Sequence, residues 1–112
     1  MTVKEFATTL GLKNWTPDLD LDVPITGGYA GDMLSWVMGK AVAGSAWMTI
    51  MSNQNVVAVA LMTDVACVVL TEGVEPDAAL VTQANGRGVP LFTSDLSTYE
   101  LSAWLGTALA AQ

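Results

Sequence analysis

The chain has 112 residues, 52% of them apolar and only 13% charged, with a formal net charge of −7 from eleven carboxylates against Lys4, Lys13, Lys40 and Arg87. This length fits one domain over 1-112, and the acid excess argues against nucleic acid or an anionic membrane surface as a partner, since no basic stripe is available to neutralise phosphates. One cysteine and no histidine exclude intramolecular disulfides, thiolate metal clusters and imidazole catalysis.

A mean hydropathy of +0.45 is high for so small a domain, whose surface is large relative to its volume. Surplus apolar surface of this kind is commonly hidden against a second copy, so a homodimer is expected. The alternative is a monomer that buries its apolar residues unusually well. No amino-terminal apolar core of signal-peptide type is visible in Met1-Thr2-Val3-Lys4-Glu5, and a cytoplasmic location is expected.

The first predicted element is a helix capped by Thr2 and running to about Leu10, with Gly11 as its stop; Val3, Phe6, Ala7 and Leu10 fall on one face. Asn14 to Pro24 follows as a turn-rich acidic stretch leading into a short strand near Ile25. Asp18, Asp20 and Asp22 alternate as in part of a calcium loop, but the glycine and terminal glutamate of that loop are missing, so no metal is expected there.

Thr26-Gly27-Gly28-Tyr29-Ala30-Gly31-Asp32 reads as a glycine-rich turn from strand to helix. Asp32 is expected to cap a helix over Met33 to about Lys40, with Leu34, Val37 and Met38 inward. Trp36 falls on another face, where packing in the core is favoured over service on a partner surface.

The remainder alternates: a strand over Trp47 to Met51, a helix from Asn53 or Gln54 to Met62, a strand over Ala66 to Leu70, and a helix from Asp77 to about Asn85. A strand over Val89 to Phe92 and a helix from Leu96 or Ser97 to Ala108 complete the order. Ser97 with Glu100 fits a capping box, and Leu101, Trp104, Leu105 and Leu109 form an apolar stripe. Between Ala46 and Leu70 the only charge is Asp64, but the polar run Ser52-Asn53-Gln54-Asn55 breaks the segment and argues against a membrane span. Short apolar strands alternating with helices predict an α/β fold: a mostly parallel sheet with helices packed on it.

In such sheets ligands bind outside the carboxyl ends of the strands, near a reversal of strand order. The residues following the predicted strands are polar throughout: Thr26-Gly27-Gly28, Ser52-Asn53-Gln54-Asn55, Thr71-Glu72 and Thr93-Ser94-Asp95. From these, Thr26, Gly27, Gly28, Asn53, Asn55 and Thr71 are the candidate binding set for a small polar ligand. The same residue types are preferred helix caps, so capping alone would also account for them.

Gly39-Lys40 resembles the end of a P-loop, but Ala41 stands where Ser or Thr is required and Leu34 where the first glycine is required. Gly27, Gly28 and Gly31 do not have dinucleotide-fingerprint spacing, and Asp32 opposes an anion at that turn. Arg87 reads as a solvated turn residue and Cys67 as a small buried hydrophobe. Asp64 and Glu72 lie nearest to apolar segments and are the candidates for general acid or base work, with no pairing evident from sequence.

Asp22-Val23-Pro24-Ile25-Thr26-Gly27-Gly28-Tyr29-Ala30-Gly31-Asp32-Met33-Leu34, together with Asn55 to Ala60 and Asp64 to Leu70, resembles the DRTGG domain over nearly the whole chain. Thr26-Gly27-Gly28 match the family signature, whereas Pro24 and Ile25 stand where its acidic and basic residues would be. The resemblance implies an α/β module like the amino-terminal domain of HPr kinase/phosphorylase, found alone, beside CBS-type regulatory domains and in some phosphotransacetylases. Catalysis in those proteins lies in other domains. The expected function is therefore a non-catalytic regulatory or interaction module without a cofactor, self-associating, which senses a small polar ligand. A small carboxylate-dependent enzyme and a purely structural adaptor for a partner protein are the alternatives.

Overall fold

A computed structural model describes all 112 residues. The chain begins with α1 (Val3–Leu10), whose Thr2 hydroxyl accepts from the Glu5 amide while the Glu5 carboxylate accepts from the Thr2 amide, a closed capping box. Gly11, in the left-handed conformation with φ of 60°, ends the helix. A two-residue strand, β1 (Lys13–Asn14), follows. The chain then crosses to the opposite edge of the sheet for β2 (Gly27–Ala30).

From there strands and helices alternate: α2 (Leu34–Lys40), β3 (Ser45–Thr49), α3 (Asn55–Thr63), β4 (Cys67–Leu70), α4 (Ala78–Arg87), β5 (Leu91–Thr93) and α5 (Thr98–Ala110). The sheet order is β1-β5-β4-β3-β2, with β2 to β5 mutually parallel and β1 antiparallel to β5. The parallel strands are thus laid down side by side in the order in which they are made. Crossovers of one hand that always step in one direction put their helices on one face.

Side chains alternate accordingly between two cores. Ala46, Met48, Cys67, Val69 and Phe92 pack against α1 and α5, through Val3, Phe6, Leu101 and Leu105. Trp47, Val68, Leu70 and Leu91 point to the other face, against Val37 of α2, Val56 and Val59 of α3 and Leu80 of α4. β3 and β4 are buried at every position, which explains the unbroken apolar run of β4 and the apolar centre of β3 between Ser45 and Thr49. Burial pushes the Cys67 thiol up to about 12, so it is a protonated core hydrophobe.

The α/β architecture is as the sequence predicts, but several local expectations fail, among them the strand predicted over Val89 to Phe92, which is Leu91–Thr93. The glycine segment is a strand, not a turn, and Ile25 precedes it as a buried core residue outside the ladder. Strand β3 begins two residues earlier than expected and stops at Thr49, because the Ile50 amide donates to the Asp32 carboxylate (2.9 Å) and leaves the ladder. Asp32 therefore does not cap α2; Met33 occupies the cap position with no side-chain bond. Trp36 and Met38 are exposed, and Val37 is the only buried residue of α2. No helix is long and apolar enough to cross a membrane.

Candidate functional site

The carboxyl ends of the parallel strands gather Asp32, Ser52, Asn53, Thr71, Glu72, Ser94 and Asp95 on one rim, but most of their hydrogen-bonding capacity is spent within the protein. Asp32 Oδ1 accepts from both the Thr49 hydroxyl and the Ile50 amide, each at 2.9 Å, which ties the end of β2 to the end of β3. Asn53 Oδ1 accepts from the Asn55 amide (2.9 Å), and the Ser52 carbonyl accepts from the Asp77 amide. Thr71 is buried and shares a hydroxyl contact with Thr98. Glu72 sits at φ of 62°, a conformation uncommon for a side-chain-bearing residue, and its carboxylate accepts from the Thr98 amide at 2.8 Å. Together these bonds hold the start of α5 against the end of β4.

The six candidate binding residues are not brought together. Asn53, Asn55 and Thr71 lie on the carboxyl rim, whereas Thr26 and Gly27 stand at the start of β2, at the opposite end of the sheet. There the Thr26 amide donates to the Gly44 carbonyl and its hydroxyl contacts the Ala43 carbonyl. Gly44 has φ of +84°, and a Cβ on it would collide with the Thr26 hydroxyl, so the threonine and this glycine fit each other. Gly28 lies beneath α5: a Cβ there would come within 3.0 Å of Leu105 Cδ2 and 3.4 Å of Met48 Cε. Thr26-Gly27-Gly28 thus fastens the edge strand to β3 and admits α5 closely.

Among the four parallel strands there is no reversal of order, so the crevice expected from such a reversal has no place between them. The direction changes only where β1 joins β5, and an open recess of about 490 Å³ lies beside that junction. It is lined by Leu10 and Gly11 from the end of α1, Lys13 of β1, Glu75, and Thr93 to Leu96 after β5. The floor is well fixed. Trp15 Nε1 donates to Thr93 Oγ1 (3.0 Å), Lys13 Nζ lies 4.1 Å from the centroid of the Trp15 ring, and the Leu96 amide donates to Ser94 Oγ. One ammonium and two exposed carboxylates, Glu75 and Asp95, surround it. The sequence reading placed Thr93, Ser94 and Asp95 on the rim but missed Lys13, because a two-residue antiparallel strand leaves no periodic signal.

Asp64 and Glu72 flank opposite ends of β4 and form no acid pair. Asp64 has φ of 57° and closes α3, with its carbonyl accepting from the Gly44 amide. Arg87 is exposed in the last turn of α4, where a cation suits the helix dipole.

Comparison with known proteins adds a family and a fold. A search of curated proteins finds no match. Among solved structures, the CBS and DRTGG domains of the regulatory region of Clostridium perfringens pyrophosphatase, complexed with the activator diadenosine tetraphosphate, superpose with a TM-score of 0.65 at 12% identity, over 91% of this chain. The chain spans 44% of that neighbour's length. The family model of the DRTGG domain matches residues 31–108, which cover β3 to β5 with all their crossovers and most of α5. The chain belongs to the DRTGG domain family.

Proposed function

We propose that this domain is a non-catalytic regulatory module that senses a small polar ligand in the recess beside the β1–β5 junction and works as a homodimer. The observation that carries the reading is the recess itself, which has a fixed floor and three exposed ionic groups, Lys13, Glu75 and Asp95, at the carboxyl end of the sheet. A regulatory role for the DRTGG-containing neighbour supports it. Two carboxylates against one ammonium favour a neutral or cationic ligand rich in hydrogen-bond donors. The nucleotide tetraphosphate bound by the neighbour is a poor fit to a chain of net charge −7 with four separated basic residues. The enzyme alternative is disfavoured by the separation of Asp64 from Glu72 across β4.

Thermal denaturation against a panel of amines, amino acids, polyols and nucleosides tests the reading. A ligand at a hundred times its Kd stabilises the fold by about 2.7 kcal/mol, a rise of roughly 10 °C in a domain of this size. Asp95→Asn and Lys13→Ala should each reduce the shift. Absence of any stabilising compound, or a shift untouched by both substitutions, removes the recess as the sensing site.

A further inference from the structure

The exposed large apolar residues are not scattered. Seven of the eight lie between positions 33 and 62, and Tyr99, 82% exposed on α5, is the exception. Met33, Trp36, Met38 and Val42 belong to α2 and its ends, and Leu61 and Met62 to the neighbouring α3. Trp36 is 57% and Met62 69% exposed. α2 is the outermost helix of its layer, beside β2, which pairs with β3 alone and leaves its other edge open. A helix with four large apolar residues and one buried position is incompletely covered by its own chain.

We propose that this α2 flank, with the exposed end of α3, is the surface through which two copies of the chain associate about a two-fold axis. The inference rests on the homodimer reading above and names its interface. Charge selects a second copy. Residues 33 to 63 contain no carboxylate and a single cation, Lys40, while all eleven carboxylates lie outside that stretch. Two molecules of charge −7 repel over the rest of their surfaces, and this flank is where they can approach. The ends of α2 also complement each other: Asp32 precedes the helix and Lys40 closes it. In an isologous pair each contact occurs twice, so antiparallel α2 helices set Lys40 of one copy against Asp32 of the other, in both directions. Gly39, where an added Cβ would meet nothing, leaves a smooth place for the backbones to come close. The six apolar residues, Trp36 and Met62 foremost, supply the apolar centre of such an interface, and the polar residues around them its rim.

Light scattering at tens of micromolar protein should give twice 11.7 kDa for the unaltered chain. Trp36→Glu and Met62→Glu should each raise the dimer dissociation constant at least tenfold while leaving the far-ultraviolet circular dichroism unchanged, and Tyr99→Glu should leave association intact. As a positive probe, a chain carrying both Met33→Cys and Gly39→Cys should form intermolecular disulfides under mild oxidation, since this register sets position 33 of one copy against position 39 of the other, and Cys67 is buried and does not compete. A dimer insensitive to both glutamate substitutions overturns this interface but leaves the homodimer reading standing. A monomer at high micromolar concentration overturns both, as does a different protein held stoichiometrically on this flank. None of these outcomes bears on ligand sensing, which the thermal test addresses separately.

Discussion

Helices α5 and α2 make the most instructive contrast in the molecule. Each is preceded by a residue that can cap it, Ser97 for α5 and Asp32 for α2. Ser97 does so: its hydroxyl accepts from the Glu100 amide at 3.1 Å, and Glu100 accepts from the Ser97 amide. Asp32 instead accepts from Thr49 and Ile50 on the neighbouring strand. The same division runs through packing, since α5 buries Leu101 and Leu105 over β2 and β3 while α2 buries Val37 alone. A cap can be inferred from sequence when the side chain has no better partner in space; a carboxylate facing a strand end has one.

This contrast can be tested by unequal costs. The largest effect should come from Leu105→Ala, which removes a fully packed side chain between α5 and the sheet and should cost about 2–5 kcal/mol in chemical denaturation. Met38→Ala on α2 should change monomer stability by under about 0.5 kcal/mol. Equal costs would mean that α2 is covered as well as α5 is. Next comes Asp32→Ala, which leaves the Thr49 hydroxyl and Ile50 amide without their acceptor and should cost roughly 1–3 kcal/mol. Ser97→Ala loses a cap and should cost about 1 kcal/mol.

The effect that vanishes at neutral pH concerns Cys67, whose titration lies outside the neutral range. Its thiol is raised from an ordinary 9.0 to about 12 by burial, so between those values the unfolded chain has lost a proton that the folded chain retains. Stability from this group is complete below pH 9 and declines as pH rises towards 12, by at most about 1.4 kcal/mol per unit. Cys67→Ala should flatten that alkaline decline in urea titrations relative to the unaltered chain, whatever its effect on stability at pH 7. An unchanged slope would show that the thiol ionises in the fold much as it does outside it.

Much of the architecture was legible because the strongest local signals agreed with the tertiary outcome. Gly11 ends α1, Ser97 and Glu100 close their box, and Cys67 to Leu70 form a strand buried on both faces. The glycine segment was not legible as a strand, since glycine has little intrinsic preference for one. Gly28 is suited to this strand by the approach of Leu105, a contact invisible in sequence. β3 was displaced because Ile50 and Met51 are as apolar as the residues that do pair, and only the distant Asp32 carboxylate ends the ladder. The candidate site suffered from the same error. Once Gly27 and Gly28 belong inside a strand, Thr26 stands at its beginning, and a set imagined on one rim is divided between two.

The winding of the sheet also bears on how the chain assembles. Gly27 pairs with Ser45, Ala46 with Cys67 and Val68 with Leu91, so each parallel contact closes over a single helix, whereas Lys13 must find Thr93 across most of the chain. Short closures cost less entropy than the long one. The four parallel strands and their three crossovers can therefore zip together stepwise from any neighbouring pair. On this ordering the segment carrying α1 and β1 would dock last, as a clasp that brings in Lys13, so the recess beside the β1–β5 junction would be completed only at the end of folding.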